Sequence, residues 1–495
     1  MASLYLILPF ALCIISVASR WLKSPLSTIP GPAISKFSGI VLKYHWLTGN
    51  RMKYVHSLHH QYGPVVRVSP EEVDVADIAS VKEIHRIGTG FMKSSFYRNL
   101  TRHDIENLFN TSDPKFHGVR RRLLSAPISD IKLRESEPSI NARVQLAIDK
   151  MQDSMDETGV VDVFQWWLFM ATDIIGELCF GDSFRMLEYG KVGIPSSEYP
   201  CSTNTDGLKK NQYCRDLEAV SATEAVRVAF PHIVSLAEIV PLPYFHQAAQ
   251  GGARMVQYAS QSVQRYKNIS AESTEPKTTL FTRLFDSEKD GLSDKDITDE
   301  AISFIIAGSD TTANTLTYLV WSVCQDESIR SHLLEELSSI PDIFQDEHLR
   351  PLPYLTQVID ETLRLYSGVP SGLPRVSRHG AHLAGHWIPA GTTVTTQAYT
   401  LHRDPSAFDE PERFNPSRWE KPTRAMKDAV LSFGGGARTC LGVHLARMEL
   451  RLATALFFRA FPKATIDPSM DASDMDQVAY FLLSPRGKRC LINVS

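Results

Sequence analysis

The sequence predicts a mainly helical protein with a small β-rich part, set behind an N-terminal membrane anchor. Three features predict it. Ser293 to Gln325 and Val443 to Phe458 carry apolar residues at helical spacing, the first over about 45 Å. Val65 to Val68, Val73 to Val75 and Ala384 to Thr396 are short β-type runs broken by glycine and proline. Ala2 to Ser19 holds no charge, and Arg20 and Lys23 follow it.

Composition narrows the function classes. The chain has 495 residues, room for two or three average domains or one large one. It is 43% hydrophobic and 22% charged, ordinary for a globular protein. The 52 basic and 56 acidic residues leave a net charge of −4, which gives no sign of a nucleic-acid partner. Seven cysteines are scattered without a C-x-x-C pair, so neither a disulfide framework nor a structural zinc site is expected.

Taken in order, the first element is the anchor, residues 1–24. Run to Leu22, it would span roughly 30 Å as a helix, enough for a bilayer core. The basic residues lie on its C-terminal side, with Lys36 and Lys43 beyond, so the body stays cytosolic. A cleaved signal peptide is the rival reading, but the stretch lacks a basic n-region. Ile29-Pro30-Gly31-Pro32 is a stiff break between anchor and body. Val65 to Val75, turning at Ser69-Pro70, reads as a small hairpin.

In the helical stretch Ser112 to Leu124, His117 and Arg121 share a face, while Arg120 and Arg122 read as a solvated basic face. Residues 193–210 have no periodicity, and without them Gly190-Lys191-Val192 would run straight into Asn211-Gln212-Tyr213. The segment is therefore expected to be a surface insertion or a retained intron, without a catalytic part. Ser293 and Asp296 then form a weak capping box for the helix that runs to Gln325. Ala307-Gly308-Ser309-Asp310-Thr311-Thr312 stands in its middle. A carboxylate, two threonines and a glycine inside an apolar helix run against local propensity, and functional sites are where such breaches are expected. The bland reading puts Asp310 in solvent and has the threonines back-bonding within the helix.

Glu361 and Arg364 sit at i, i+3 on a further helix, worth only tenths of a kcal/mol as an isolated surface pair. Leu365 to Arg375 is too rich in glycine and proline for a helix, and Val369 and Leu373 are its candidates to touch a substrate. Ala384 to Thr396, with turns at Gly385 and Pro389-Ala390-Gly391, reads as one hairpin, and Val478 to Leu483 as a strand-turn that dips into the pocket. Near the C-terminus stands Phe433-Gly-Gly-Gly436-Ala-Arg438-Thr-Cys440-Leu-Gly442. Cys440 precedes a helix N-terminus, where the dipole favours a thiolate over a thiol. Glycines that admit a flat ring, an anionic sulfur and a nearby Arg438 together suggest a haem iron ligand with a propionate partner. The bland alternative is a buried structural cysteine in a glycine turn.

Phe433, Gly436, Arg438, Cys440 and Gly442 match every fixed position of Phe-x-x-Gly-x-Arg-x-Cys-x-Gly, which resembles the haem-binding loop of the cytochrome P450 family. The resemblance covers the chain in order and implies the cytochrome P450 fold, a single haem domain over 25–495. It implies haem b with Cys440 as metal ligand and Phe433, Gly436 and Arg438 around it. His117 and Arg121 would hold one propionate, the histidine replacing the family's tryptophan, and Arg375 a second. Gly308 would let cofactor and dioxygen approach the helix, while Asp310 and Thr311 would deliver protons. Glu361 and Arg364 would form a buried triad with Arg418, which stands 22 residues before Cys440, and Arg413 would be a decoy.

The implied activity is a haem-thiolate monooxygenase inserting one oxygen of O2 into an apolar small molecule, resembling fungal enzymes of polyketide or terpenoid secondary metabolism. Electrons would come from NADPH through the membrane-bound NADPH–cytochrome P450 reductase, with cytochrome b5 as an optional second donor, at the endoplasmic reticulum. Arg120, Arg122, Lys427 and Arg447 are candidates for docking such a partner. The alternatives are a haem-thiolate isomerase or dehydratase that needs no reductase, and a haem sensor or carrier without catalysis.

Overall fold

Five helices carry the site, and their sequences explain where each lies. The structure, a computed structural model, describes residues 24–101, 105–190, 216, 225–230, 243–272, 278–286 and 292–494. Nearly all of the expected anchor and all of segment 193–210 lie outside the described residues. The first helix is α1 (Pro114–Ser125), capped by the Asp113 carboxylate, which accepts from the Lys115 N–H. Next comes α2 (Val163–Phe180), apolar on every face. It is long and apolar enough to cross a membrane, yet 89% of it is buried inside the protein, so it is a core helix.

Helix α3 (Asp294–Gln325) lies along α2. Its capping box is complete: the Asp296 N–H donates to Ser293 Oγ and the Ser293 N–H to the Asp296 carboxylate, at 3.2 and 2.9 Å. Helix α4 (Pro353–Leu365) starts with proline in its first turn and stops where Ser367, Gly368 and Pro370 begin. Helix α5 (Val443–Ala460) buries Leu445, Met448, Leu452 and Ala455. One apolar core joins α2 to α5, with Trp167, Ile305, Leu316, Leu355 and Phe457 nearly inaccessible.

The β part is small. Strands β1 (Val65–Ser69) and β2 (Glu72–Val75) form the expected antiparallel hairpin, with Val65 opposite Val75. They extend through β8 (Thr393–Thr395) and β5 (Arg375–Ser377) to β3 (Phe91–Lys93), giving the order β1-β2-β8-β5-β3. Of the remaining strands, β4 (Val160–Asp162) and β9 (Thr465–Ile466) flank β12 (Leu491–Asn493), and β10 (Gln477–Ala479) pairs with β11 (Leu483–Pro485).

The stretch Ala384 to Thr396 departs from the single hairpin read in the sequence. Strand β7 (His386–Ile388) pairs backward with β6 (Ala381–Leu383). Between them Ala384 and Gly385 both adopt left-handed backbone, at φ 42° and 82°, which suits a two-residue turn. After Gly391, at φ 81°, the chain leaves that hairpin, and β8 enters the larger sheet parallel to β2.

Candidate active site

The loop before α5 is fixed by its own backbone. The Cys440 N–H donates to the Phe433 carbonyl at 2.8 Å, and that of Gly434 to the Leu431 carbonyl at 2.9 Å. Gly436 has φ +62°, and a Cβ there would stand 1.8 Å from the His85 carbonyl oxygen. His85 therefore demands this glycine. Sequence inspection missed His85, which is buried and bonded to Thr396 Oγ1 at 2.8 Å.

Among the described cysteines, Cys179, Cys324 and Cys490 are buried and Cys440 is open. Cys440 has an open edge, but the protein atoms packed around its sulfur push the thiol up, against the Gly442 N–H and the Arg121 charge, which pull it down. The helix N-terminus favours the thiolate, as read from the sequence, and desolvation of the sulfur opposes it. A metal partner would complete it, since metals deprotonate the thiols that bind them.

A network of saturated charge holds this loop from one side. Glu361 and Arg364 are both buried and joined by two bonds of 2.8 Å. Arg418 Nε donates to Glu361 at 3.0 Å, and Trp419 Nε1 and the Asn415 N–H add 3.0 and 2.8 Å. Arg413 is a surface residue paired with Glu410, and only its backbone carbonyl joins, accepting from Arg364 and Arg418. His402, also missed in the sequence, passes the network to the loop. Its Nδ1 donates to the Arg364 carbonyl at 2.6 Å, and its Nε2 accepts the Leu431 N–H at 2.8 Å. Ser432 Oγ adds a bond to the Leu363 carbonyl at 2.9 Å.

A second group of charges is not saturated. Arg438 has Nη1 buried without a partner. Burial, then Arg375, lowers it to about 10. Arg121 donates to the Thr439 carbonyl at 2.8 Å and feels the Cys440 sulfur. Buried His117 is lowered to about 4 by burial first, then by Arg438, Arg121 and Lys93, so it is neutral near pH 7. Arg375 donates to Tyr97 Oη at 2.8 Å and has no carboxylate partner among the described residues. Tyr97 and then Asp113 pull Arg438 the other way. An orphaned buried guanidinium nitrogen amid other cations fits a group that brings carboxylates, as haem does.

On α3, Ala307 is open and Thr311 half-buried in the middle of a helix that is otherwise largely buried. Thr311 Oγ1 donates back to the Ala307 carbonyl at 2.6 Å, leaving its lone pairs for the site. Asp310 is half-buried. Thr312 Oγ1 donates to Glu449 on α5 at 2.9 Å, a buried carboxyl raised to about 8 by burial. Gly308 also lies close against α2: a Cβ there would stand 2.8 Å from Ile175 Cγ1. Val369 is half-buried, and its neighbour Gly368 abuts Thr311, where a Cβ would stand 3.1 Å from Thr311 Cβ. Leu373 packs against Val81, Ala398, Leu401 and Leu431. Arg120 is not a solvated or docking cation. It is buried, 3.7 and 3.8 Å from Glu300 and Asp296. Arg447 is held by Asp360 at 2.9 Å, whereas Arg122 and Lys427 are exposed.

A mainly helical protein with, among the described residues, one open cysteine on a glycine loop beside uncompensated cations has what a haem-thiolate protein needs. The comparisons are specific. Residues 29–491 match the family described as Cytochrome P450. The chain is 47% identical to the cytochrome P450 monooxygenase tazI of Aspergillus terreus, over 95% of this chain and 94% of that protein. It is 42% identical to the cytochrome P450 monooxygenase orf2 of Aspergillus niger, over 98% and 97%. A third relative, the cytochrome P450 monooxygenase azaI of Aspergillus niger, is 40% identical over 87% and 93%. The chain belongs to the cytochrome P450 family. It is a haem-dependent monooxygenase that takes electrons from a redox partner and acts on a small molecule.

Proposed function

We propose that Cys440 binds the haem iron as a thiolate and that the enzyme inserts one oxygen atom of O2 into an apolar small molecule of fungal secondary metabolism, a polyketide or terpenoid precursor. The observation that carries this is the open Cys440 beside the orphaned Arg438. When bound, the haem supplies an iron whose thiolate ligand favours O–O cleavage. Arg438, Arg121 and Arg375 hold the cofactor's carboxylates, and neutral His117 donates one N–H, as a tryptophan at that position would. Phe433 closes the loop through its carbonyl and Gly436 fits it to His85.

Thr311, its own O–H donated to the Ala307 carbonyl, accepts a hydrogen bond from the site side, and Asp310 relays protons from solvent. Glu361, Arg364 and Arg418 hold the loop in place. Val369 and the uncovered edge of Leu373 wall the substrate, and Gly308 supports the wall through its contact with α2.

Residues 1–24 anchor the haem domain, 25–495, to the endoplasmic reticulum with the domain in the cytosol. NADPH–cytochrome P450 reductase supplies electrons, with cytochrome b5 as a second donor. Arg122 and Lys427 remain as docking cations. The reduced protein under carbon monoxide should give the strongly red-shifted absorption of a thiolate-bound haem, and Cys440→Ser should abolish both that shift and turnover. A wild-type protein without the shift would sink the reading. NADPH consumption with reductase and substrate separates it from a reductase-independent isomerase or dehydratase.

A further inference from the structure

The helix Arg51–Tyr62 carries a pair of convergent ligand-type side chains that the mechanism does not use. His56 and His60 stand four apart and share one face. Their Nε2 atoms lie 3.0 Å from each other, with the rings crossed at 80°. His60 is exposed and His56 half-buried, so solvent reaches the pair. His56 is held from behind. Its Nδ1 faces Thr400 Oγ1 at 3.3 Å, and its ring meets that of Tyr399 edge-on at 5.3 Å. Buried Gln397 fixes the hydroxyl in turn, its Nε2 donating to Thr400 Oγ1 at 2.6 Å and to the Met52 carbonyl at 3.0 Å. With Nδ1–H given to Thr400, the His56 Nε2 lone pair is left facing His60, the arrangement a ligating histidine takes from its outer shell. The neighbouring cation Arg403, 3.8 Å from the Tyr399 ring, is neutralised by Glu412 at 3.0 Å.

Two imidazole nitrogens that face each other share either one proton or one metal ion. Metal–nitrogen bonds of about 2.0–2.1 Å put adjacent ligands about 2.9 Å apart at a right angle and about 3.3 Å apart at the tetrahedral angle. The observed 3.0 Å lies at the right-angle end, which suits square and octahedral ions better than tetrahedral zinc. Among the described residues no three ligating side chains gather at one point, so water completes the shell. We propose that His56 and His60 form a surface site for a divalent transition-metal ion, Cu2+ or Ni2+ before Zn2+, with Thr400 orienting His56. The ion bridges one turn of the helix and ties it, through Thr400, to the helical turn Ala398–Leu401 beside His402. The site is independent of the haem-thiolate reading of Cys440.

The test uses tag-free, full-length holoenzyme, freed of loose metal by a chelator and titrated with NiCl2 and ZnCl2 in a calorimeter. One Ni2+ per chain should bind, more tightly than Zn2+, and the melting temperature should rise with Ni2+ concentration. His60→Gln keeps the exposed surface polar and removes one ligand. It should weaken Ni2+ binding by more than about a hundredfold, beyond the 10–100-fold typical of losing an outer-shell partner, and its melting temperature should no longer respond to Ni2+. Thr400→Val removes the outer-shell hydroxyl and should weaken binding about tenfold. His56→Gln carries the same measurements from the other ligand. A wild type that takes up no Ni2+, or a His60→Gln that takes it up equally well, overturns the site and leaves the two rings sharing a proton. Zn2+ binding more tightly than Ni2+ would overturn the geometry assigned to it.

Discussion

Around Glu361 every charge has a protein partner, whereas around Arg438 several cations have, among the described residues, no carboxylate partner. Both regions meet the cysteine loop, the first at Leu431 and Ser432, the second at Arg438 and Thr439. Glu361 takes two bonds from Arg364 and one each from Arg418, Trp419 and the Asn415 backbone. Lys93, Arg375 and Arg438 find only a carbonyl, a hydroxyl or nothing. Where the protein completes its own charges, it builds a fixture. Where it leaves them open, it is waiting for a ligand, and substitutions in the two regions should differ in sign as well as size.

The largest effect falls on the fixture. Glu361→Gln keeps the shape and removes the charge, leaving Arg364 buried without its counter-ion. Breaking a buried pair this way costs about 3–5 kcal/mol, against a total stability of roughly 5–15 kcal/mol. The variant should melt far below wild type and load little haem, read from the ratio of haem to protein absorbance. A variant that melts with the wild type would erase the distinction between the two regions.

Arg438→Met should do the reverse in the two states of the protein. Without haem, removing a cation that repels Arg375 and Arg121 should leave stability unchanged or raise it by about 1 kcal/mol. With haem, the loss of a charge-assisted bond should speed cofactor release on the order of tenfold. Melting of both forms gives the answer, and a parallel loss in both would mean that Arg438 belongs with the fixture.

The contrast also marks what the sequence could reveal. Helix periods, the capping box at Ser293 and the hairpin at Ser69-Pro70 were legible because they are local. The choice of Arg418 over Arg413 came from the resemblance and its spacing to Cys440, and Arg418 is the one whose side chain lies on Glu361. Long-range packing was not legible. Gly308 and Gly436 are fixed by Ile175 and His85, which are remote in the chain. Arg120 looked like part of a basic run because its neighbours Arg121 and Arg122 hid its partners Asp296 and Glu300. His402 carries no pattern at all, since its two bonds are to backbone atoms.

His402 gives the most graded test. Its Nδ1–H faces the Arg364 carbonyl and its Nε2 faces the Leu431 N–H, so only the neutral ring satisfies both. Burial first, against the Arg364 backbone bond, and then the Arg364 and Arg403 charges hold it down at about 3, from 6.5 in the unfolded chain. Between those values the unfolded chain binds a proton that the folded one refuses. Stability therefore falls as pH drops from 6.5 toward 3, by up to about 1.4 kcal/mol per pH unit from this group. His85, held at about 3 by burial and then Arg375, adds a slope of the same sign. His402→Leu should be less stable at neutral pH, because it strands the Leu431 N–H. Its melting temperature should nevertheless fall less steeply than that of wild type between about pH 6 and 4. Parallel curves for the two proteins would show that the ring does not carry the link from Arg364 to the cysteine loop.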